Sequence, residues 1–203
     1  GAGEEKAPRF CTAFPSHVAP HDISLKLAGS GGDGAQTAAM LIVHAGINEG
    51  FDATHIPAYG PESRGGTSYA DVHVADGEVL SPASPHPNVL IAFNMPSLVK
   101  FGPDVLPGGT IIYDSSVIHD YTPVRAGVNV VGVPMSEIAK DLGKLMVKNI
   151  VALGALQAAT GIFPKETFLT AVRRALKDKC AMIPLNEQAF EWGVKAASEV
   201  LVP

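Results

Sequence analysis

The stretch Ile23-Ser-Leu-Lys-Leu-Ala-Gly-Ser-Gly-Gly-Asp-Gly34 determines the fold class, because an alternating strand pattern runs directly into a glycine cluster. An apolar face with the helical spacing i, i+3, i+4, i+7 follows at Ala38, Leu41, Ile42 and Ala45. This face ends near Asn48-Glu-Gly50. A strand, a glycine turn and a helix in this order are typical of an α/β fold.

The remaining segments continue the alternation of strand and helix. Strands are predicted at residues 52–58, 69–74, 88–93, 110–113 and 128–133, and residues 78–80 could return as a short hairpin arm after the Asp76-Gly77 turn. Pro96 favours the first turn of a short helix, and further helices are predicted at 136–142, 147–159, 166–176 and 187–201. The pattern predicts a mostly parallel, Rossmann-like sheet with a helical C-terminal layer.

The domain organisation is simple. Residues 1–21 contain three prolines and no sustained period, which predicts an irregular N-terminal arm that becomes ordered on a neighbouring subunit. No repeat or internal linker interrupts residues 22–203, which are predicted to form one domain.

Composition and charge narrow the classes of function. The 203 residues are 46% hydrophobic and only 17% charged, with a formal net charge of -5. Because an average soluble protein has about 25% charged residues, this deficit indicates that partner subunits bury part of the surface. The negative charge and the lack of Lys/Arg runs argue against a nucleic-acid or membrane surface. With no spanning segment and no signal-peptide pattern, we expect a cytoplasmic protein.

No metal site or stand-alone catalytic motif is predicted. Cys11 and Cys180 match no metal or redox spacing, and two cysteines cannot hold a four-cysteine iron–sulfur cluster. His17 and His21 are four residues apart, but Pro20 argues against a helical metal pair. The sequence also lacks a G-x-S-x-G motif, a P-loop lysine and a histidine-paired cysteine.

The glycine cluster fits the pattern G-x-G-x-x-G between a predicted strand and a predicted helix. In a dinucleotide site the pyrophosphate lies against the helix N-terminus. Asp33 argues against that function, because its carboxylate would repel a pyrophosphate by about 1 kcal/mol or more. The second strand also lacks an acidic residue at its end for a ribose, since Asp52 lies at its start. The alternative is that the glycines permit a tight turn and close helix packing.

The loop Tyr59-Gly-Pro-Glu-Ser-Arg-Gly-Gly-Thr67 is the most unusual segment. Pro61 fixes a turn, and Gly65-Gly66 allow a positive φ or close backbone approach. Open α/β sheets place their chemistry on loops that leave the carboxyl ends of strands. The residues alone leave open a functional loop and a Glu62–Arg64 surface pair that holds its own loop at under about 1 kcal/mol.

The segment Tyr113-Asp-Ser-Ser116 ends a predicted buried strand and offers side chains that could hydrogen-bond a ligand. Asp and Ser are equally suited to turns and helix caps. Both interpretations stay open at this point.

At these motifs the chain resembles the gamma subunit of the 2-oxoacid:acceptor (ferredoxin) oxidoreductases, over about residues 23–178. The resemblance is carried by the glycine loop with its Ala-rich helix, Tyr59-Gly-Pro-Glu-Ser-Arg-Gly-Gly66, Leu90-Ile-Ala92, Pro107-Gly-Gly-Thr-Ile-Ile-Tyr-Asp-Ser-Ser116 and Lys148-Asn-Ile-Val-Ala-Leu-Gly-Ala-Leu156 with Thr160-Gly161. The family usually has Gln where this chain has Asp33, so no contact of that side chain carries over.

The resemblance implies a subunit, inactive alone, of a complex that converts a 2-oxoacid and CoA to acyl-CoA, CO2 and a reduced low-potential acceptor. It implies alpha, beta and delta or electron-transfer subunits that hold thiamine diphosphate, Mg²⁺ and 4Fe-4S clusters, with ferredoxin or another acceptor taking the electrons. This chain is implied to bind no cofactor alone and to shape the CoA region. That role falls by resemblance on Tyr59, Gly60, Pro61, Glu62, Arg64, Gly65 and Gly66, with Gly29, Gly31, Gly32 and Gly34 as a second candidate.

Two other functions remain as alternatives. A free-standing Rossmann-type NAD(P)-binding oxidoreductase subunit would need an acid at the end of the second strand and none inside the glycine loop, and the sequence meets neither condition. A purely structural subunit would touch no ligand. The effect of an Arg64 substitution on CoA kinetics distinguishes that subunit from one that shapes the CoA region.

Overall fold

A computed structural model describes residues 22–59, 67–77, 85–119 and 127–201. Its strands are β1 (Asp22–Ser30), β2 (Asp52–Tyr59), β3 (Thr67–Ala75), β4 (Val89–Ala92), β5 (Thr110–Asp114) and β6 (Asn129–Val133). Its α-helices are α1 (Ala35–Asn48), α2 (Met95–Phe101), α3 (Met135–Asp141), α4 (Lys148–Thr160), α5 (Lys165–Ala175) and α6 (Ile183–Leu201). The predicted arm at 1–21 and the return strand at 78–80 lie outside the described residues.

The strands form one six-stranded sheet in the order β2-β3-β1-β4-β5-β6. Neighbours β1, β4, β5 and β6 are parallel, whereas β3 is antiparallel to both β1 and β2. Two antiparallel steps make β2 parallel to β1, so only β3 runs the opposite way. The mostly parallel α/β sheet predicted from the sequence is confirmed.

The helices cover both faces of the sheet. Ile23, Leu25 and Leu27 of β1 belong to a core that includes α1 and the C-terminal helices. On the opposite face, Ala28 packs in a second core with Leu98 and Phe101 of α2. Since α1 follows β1 and α2 follows β4, the chain changes direction between these two neighbouring strands. In open α/β sheets such a switch point is where a crevice opens at the carboxyl ends of the strands.

The C-terminal layer is held by a close helix contact. Helix α4 is buried along most of its length, and its main neighbour is α6. A Cβ added to Gly154 of α4 would collide with the backbone of Phe190, and one added to Gly193 of α6 with the backbone of Val151. The two helices therefore touch backbone to backbone, which only glycine allows.

Helix α6 begins at Ile183, four residues before its predicted start at Glu187. Pro184 is the second residue of the helix. Proline fits the first turn of a helix, where no intrahelical N–H bond is required. The start signal was therefore Pro184 and not the acidic residue after it.

Candidate functional site

Two polar side chains link the ends of β1 and β4 at the switch point. The Asn94 amide donates to Ser30 Oγ over 3.0 Å, and its carbonyl oxygen caps α2 by accepting from the Ser97 N–H at 3.0 Å. This end of the sheet, where β1, β4, β5 and β6 finish, is referred to below as the carboxyl edge. Ligands of open α/β sheets bind outside this edge.

The glycine loop between β1 and α1 is held by Asp33, which is only 8% exposed. One oxygen of its carboxylate, Oδ2, accepts from the Ser30 N–H at 2.6 Å, and the other pairs with the Lys148 ammonium at the start of α4. Gly29 makes room for it, because a Cβ there would lie 2.5 Å from Asp33 Oδ2. The loop thus carries its own anion at the position the sequence pattern offers to a pyrophosphate.

The four candidate glycines divide into two pairs. Gly29 packs against Asp33, and Gly34 adopts a φ of 79° beside Asn149, whose amide a Cβ would meet at 2.7 Å. Close packing accounts for both. Gly31 and Gly32 have nothing within 4 Å of an added Cβ, and they border a cavity. Gly34 lines the same cavity, but only Gly31 and Gly32 have open space where a side chain would be.

That cavity, the glycine-loop cavity, has a volume of about 470 Å³. It lies between the glycine loop, α1, the start of α4, the end of α5 and the start of α6. The volume falls within the roughly 300–1,000 Å³ of small-molecule pockets. Tyr59, the one residue of the predicted 59–66 loop that the structure describes, does not line it.

Only the flanks of the 59–66 loop are described. Gly60, Pro61, Glu62, Arg64, Gly65 and Gly66 lie outside the described residues. Tyr59 ends β2 and is 72% exposed, while Thr67 begins β3 directly opposite Ser30. The loop therefore leaves β2 and enters β3 at the carboxyl edge, where β3 pairs with the end of β1 that leads into the glycine loop.

A hydrogen-bond chain braces the base of this loop. The Gln36 amide at the start of α1 donates to the Tyr69 carbonyl of β3 over 2.8 Å. The side-chain oxygen of Gln36 lies 2.7 Å from His55 Nε2 of β2. Because an amide oxygen can only accept a hydrogen bond, His55 carries a proton on Nε2. Partial burial lowers the pKa of His55 below its ordinary value. A neutral imidazole therefore connects α1 to the strand that leads into the loop.

The predicted polar segment after β5 has a structural role. Asp114 is fully buried and accepts from the Ser136 hydroxyl at 2.5 Å, from the Ser136 N–H at 3.3 Å and from the Ser116 N–H at 3.0 Å. Ser116 Oγ in turn accepts from the Glu137 N–H at 3.1 Å. These bonds join the end of β5 to the start of α3. Asp114 and Ser116 therefore act as turn and helix-cap residues, the second of the two roles considered for this segment.

Exposed apolar side chains surround the carboxyl edge. Met95 follows β4, Val117 follows β5, and Met146 precedes α4, whose Lys148 contacts the glycine loop. Together with Tyr59 they place four exposed, large apolar side chains along the carboxyl edge and the start of α4.

Two searches of the described residues complete the inventory. No cluster of three or more His, Cys, Asp or Glu side chains within those residues could hold a metal ion. No helix in the described part of the chain is long and apolar enough to span a membrane.

Comparison with known proteins gives one family match. The model of the family described as pyruvate ferredoxin/flavodoxin oxidoreductase matches residues 24–196. Subunit VorA of ketoisovalerate oxidoreductase from Methanothermobacter marburgensis is 37% identical over 89% of this chain. Subunit KorC of 2-oxoglutarate synthase from Archaeoglobus fulgidus is 30% identical over 91% of this chain and 92% of its own length. The chain spans only 37% of the length of the VorA relative.

Solved structures agree with this match. The gamma subunit of keto/oxoacid ferredoxin oxidoreductase from Geobacter sulfurreducens superposes with a TM-score of 0.75 at 31% identity, covering 86% of this chain and 98% of that one. The 2-oxoglutarate:ferredoxin oxidoreductase from Magnetococcus marinus, solved with 2-oxoglutarate, coenzyme A and succinyl-CoA, gives a TM-score of 0.80 at 25% identity. It covers 90% of this chain and 32% of that one.

Proposed function

The chain belongs to the pyruvate ferredoxin/flavodoxin oxidoreductase family, and from that premise we propose that it is the gamma-type subunit of a 2-oxoacid oxidoreductase complex. Its near-complete overlap with a separate gamma subunit supports this role. The complex would convert a 2-oxoacid and CoA to acyl-CoA and CO2, releasing one proton and two electrons to a low-potential acceptor such as ferredoxin. Alpha and beta subunits, with a delta or other electron-transfer subunit, are its proposed partners in the cytoplasm.

The cofactors of that reaction are proposed to lie on the partner subunits. The chain has two cysteines, whereas a 4Fe-4S cluster takes four thiolates. The described residues offer no acidic cluster for Mg²⁺ beside a diphosphate. Thiamine diphosphate, Mg²⁺ and the clusters would supply carbanion and electron-transfer chemistry from those subunits, and this chain would position a substrate.

The observation that carries the assembly is the apolar surround of the carboxyl edge. Tyr59, Met95, Val117 and Met146 are exposed in this chain and lie along the carboxyl edge, from which both candidate loops leave the sheet, and the start of α4. Covering them with a partner would remove apolar area from water and bring the partner's active site onto these loops. The low overall charge of the chain fits the same arrangement.

Within the complex, the loop at 59–66 is proposed to shape the CoA region. Pro61 and Gly65-Gly66 favour a stiff loop that allows close approach, and the Gln36–His55 bonds brace its base. Arg64 would bind a CoA phosphate or the 2-oxoacid carboxylate, because a guanidinium offers a two-pronged donor to either group. Glu62 would orient Arg64.

The assembly is tested by recovering the complex from cells that express all its subunits. Tyr59→Asp combined with Met95→Asp should reduce recovery of the partner chains in native mass spectrometry, since charge would be placed in a desolvated interface. Ile47→Asp is the matched control, because Ile47 is 53% exposed near the opposite end of α1. Natural material that contains this chain alone would contradict the proposal.

The loop function is tested by the kinetics of the assembled complex. Arg64→Ala should raise the KM for CoA by an amount worth about 1.5–3 kcal/mol, the range for hydrogen bonds to charged groups. Arg64→Lys should restore only part of the lost apparent affinity for CoA, since an ammonium keeps the positive charge but lacks the paired donors of a guanidinium. Arg174→Ala is the control, since Arg174 bonds Asn48 away from the carboxyl edge. If Arg64→Ala changes the kinetics for neither CoA nor the 2-oxoacid, the chain is better explained as a purely structural subunit.

A further inference from the structure

The geometry points to a ligand site in the glycine-loop cavity: a site for a small molecule with an apolar chain that ends in a carboxylate or phosphate. The proposed function assigns no ligand to this cavity, and the inference requires only this chain. Three features carry it: an apolar wall, two lysines with no acidic neighbour in the lining, and two buried amides.

The wall of the cavity is apolar. Leu41 of α1, Ile150 of α4 and Val172 of α5 contribute to it from three different helices. Met146 and Met182 also line it, from the turns that precede α4 and α6. Methionine side chains adapt to ligands of varied shape. This lining suits a flexible hydrocarbon chain.

Two cations reach the same cavity. Lys144 and Lys179 both line it, from the turns before α4 and α6. Lys144 Nζ lies 3.4 Å from Met182 Sδ, so this side chain spans from one turn to the other. Neither lysine makes an ion pair with another described residue. None of the described lining residues is acidic, although the chain as a whole has a net charge of -5.

Two amides define the polar side of the cavity. Asn149 and Asn186 are 7% and 8% exposed, and both line it. Their amide nitrogens donate to the carbonyls of Gly34 and Met182, over 3.3 and 2.8 Å. Among the described residues, neither side-chain oxygen has a hydrogen-bond partner. The fixed nitrogens leave these oxygens available to a donor on the ligand.

The glycine loop is unsuited to a pyrophosphate, but the cavity beside it can hold a terminal carboxylate or phosphate. Asp33 already accepts the Ser30 N–H, so the loop lacks that donor for the pyrophosphate of a dinucleotide. Gly31 and Gly32 keep the cavity mouth open beside it. A terminal anion would therefore be bound by Lys144 and Lys179, which line the cavity, whereas Asp33 does not.

The test is an NMR titration of the full chain labelled with [13C-methyl]methionine, with octanoate as the probe and 1-octanol as its uncharged control. Octanoate should shift the Met146 and Met182 methyl signals saturably and leave those of Met40 and Met95 unchanged. We expect octanoate to bind about tenfold more tightly than octanol, because two partly exposed ion contacts contribute a modest factor each.

Variants separate the two parts of the site. Lys144→Gln with Lys179→Gln should bring octanoate to the affinity of octanol, whereas Lys140→Gln with Lys195→Gln makes the same charge change elsewhere and should leave it unaltered. Ala175→Phe, which adds a ring at a residue that lines the cavity, should weaken both probes. Equal affinities of the native chain for the two probes, a common response of all exposed methionines, or no saturable shift at Met146 and Met182 would each overturn the inference. None of these results depends on partner subunits.

Discussion

The Asp33–Lys148 ion pair joins the glycine loop to α4, and its side chains are only 11% and 12% exposed. Asp33→Asn should keep an acceptor for the Ser30 N–H but leave the Lys148 ammonium without its counter-charge. We expect a loss of about 1–3 kcal/mol in the free energy of unfolding, because an unpaired, mostly buried charge is costly. Urea denaturation measures this loss.

A double-mutant cycle with Lys148→Met isolates the pair itself. The double variant should be less destabilised than the sum of the two single variants. The exposed Arg173–Glu166 pair is the comparison and should show much weaker coupling, since solvent screens it. Additive effects of Asp33→Asn and Lys148→Met would show that the pair does not stabilise the loop.

His55 makes the stability of the loop base depend on pH. Burial lowers its pKa in the folded chain, so between that value and the ordinary value of about 6.5 the unfolded chain binds more protons. The contribution of His55 to the free energy of unfolding is therefore complete above about pH 6.5 and is lost as the pH falls below that value.

Urea denaturation at pH 8, 6 and 5 checks this effect. The stability difference between the native chain and His55→Gln should shrink as the pH decreases, since the variant keeps a donor toward Gln36 but does not titrate. His44→Gln, at an exposed position of α1, controls for loss of a histidine. A difference for His55→Gln that stays constant with pH would contradict the prediction.

At the residue level, the sequence predicted which element a residue lies on better than it predicted which residues that side chain contacts. Lys26 was placed correctly on an alternating strand, yet it is buried, 2.9 Å from Asp71, with its ammonium 4.5 Å from the centre of the Tyr69 ring. Asp71 and Tyr69 lie on a strand that is distant in sequence. Alternation alone assigns a lysine to solvent, and only the pairing of β1 with β3 shows where its charge is neutralised.

At the level of elements, the contact between α4 and α6 leads to a stability prediction. Gly154→Ala should destabilise the fold by about 3 kcal/mol, because its methyl group would enter the backbone of Phe190 and whole helices must separate. Gly32→Ala is the matched control and should change stability by less than about 0.5 kcal/mol, since no atom lies near its added Cβ. Thermal unfolding of both variants measures the contrast; equal midpoints would contradict the close contact.

Most elements were predictable because their patterns are local. The predicted helix 147–159 differs by one residue at each end from the observed Lys148–Thr160. The insertion of antiparallel β3 between β2 and β1 could not be predicted, because strand order depends on contacts between residues far apart in sequence. The same limit kept the glycine-loop cavity hidden, since its walls come from α1, α4, α5 and α6.

For the whole molecule, the structure supports a prediction about cofactor class. The chain expressed alone should show no micromolar binding of NAD(P) or FAD in calorimetric titration, because the Asp33 carboxylate occupies the Ser30 N–H and would repel a pyrophosphate. A protein known to bind NAD serves as the positive control. A measurable enthalpy at micromolar ligand would restore the alternative of a dinucleotide-binding subunit.

The antiparallel pairing of β2 with β3 also affects how such proteins diversify. The two strands are in register from Asp52–Ala75 to Tyr59–Ser68, so their alignment is fixed by the sheet and not by the residues that connect them. The residues between Tyr59 and Thr67 are therefore not needed to set the register, and natural selection can act on them for the ligand that the loop meets while the strands on either side stay in place.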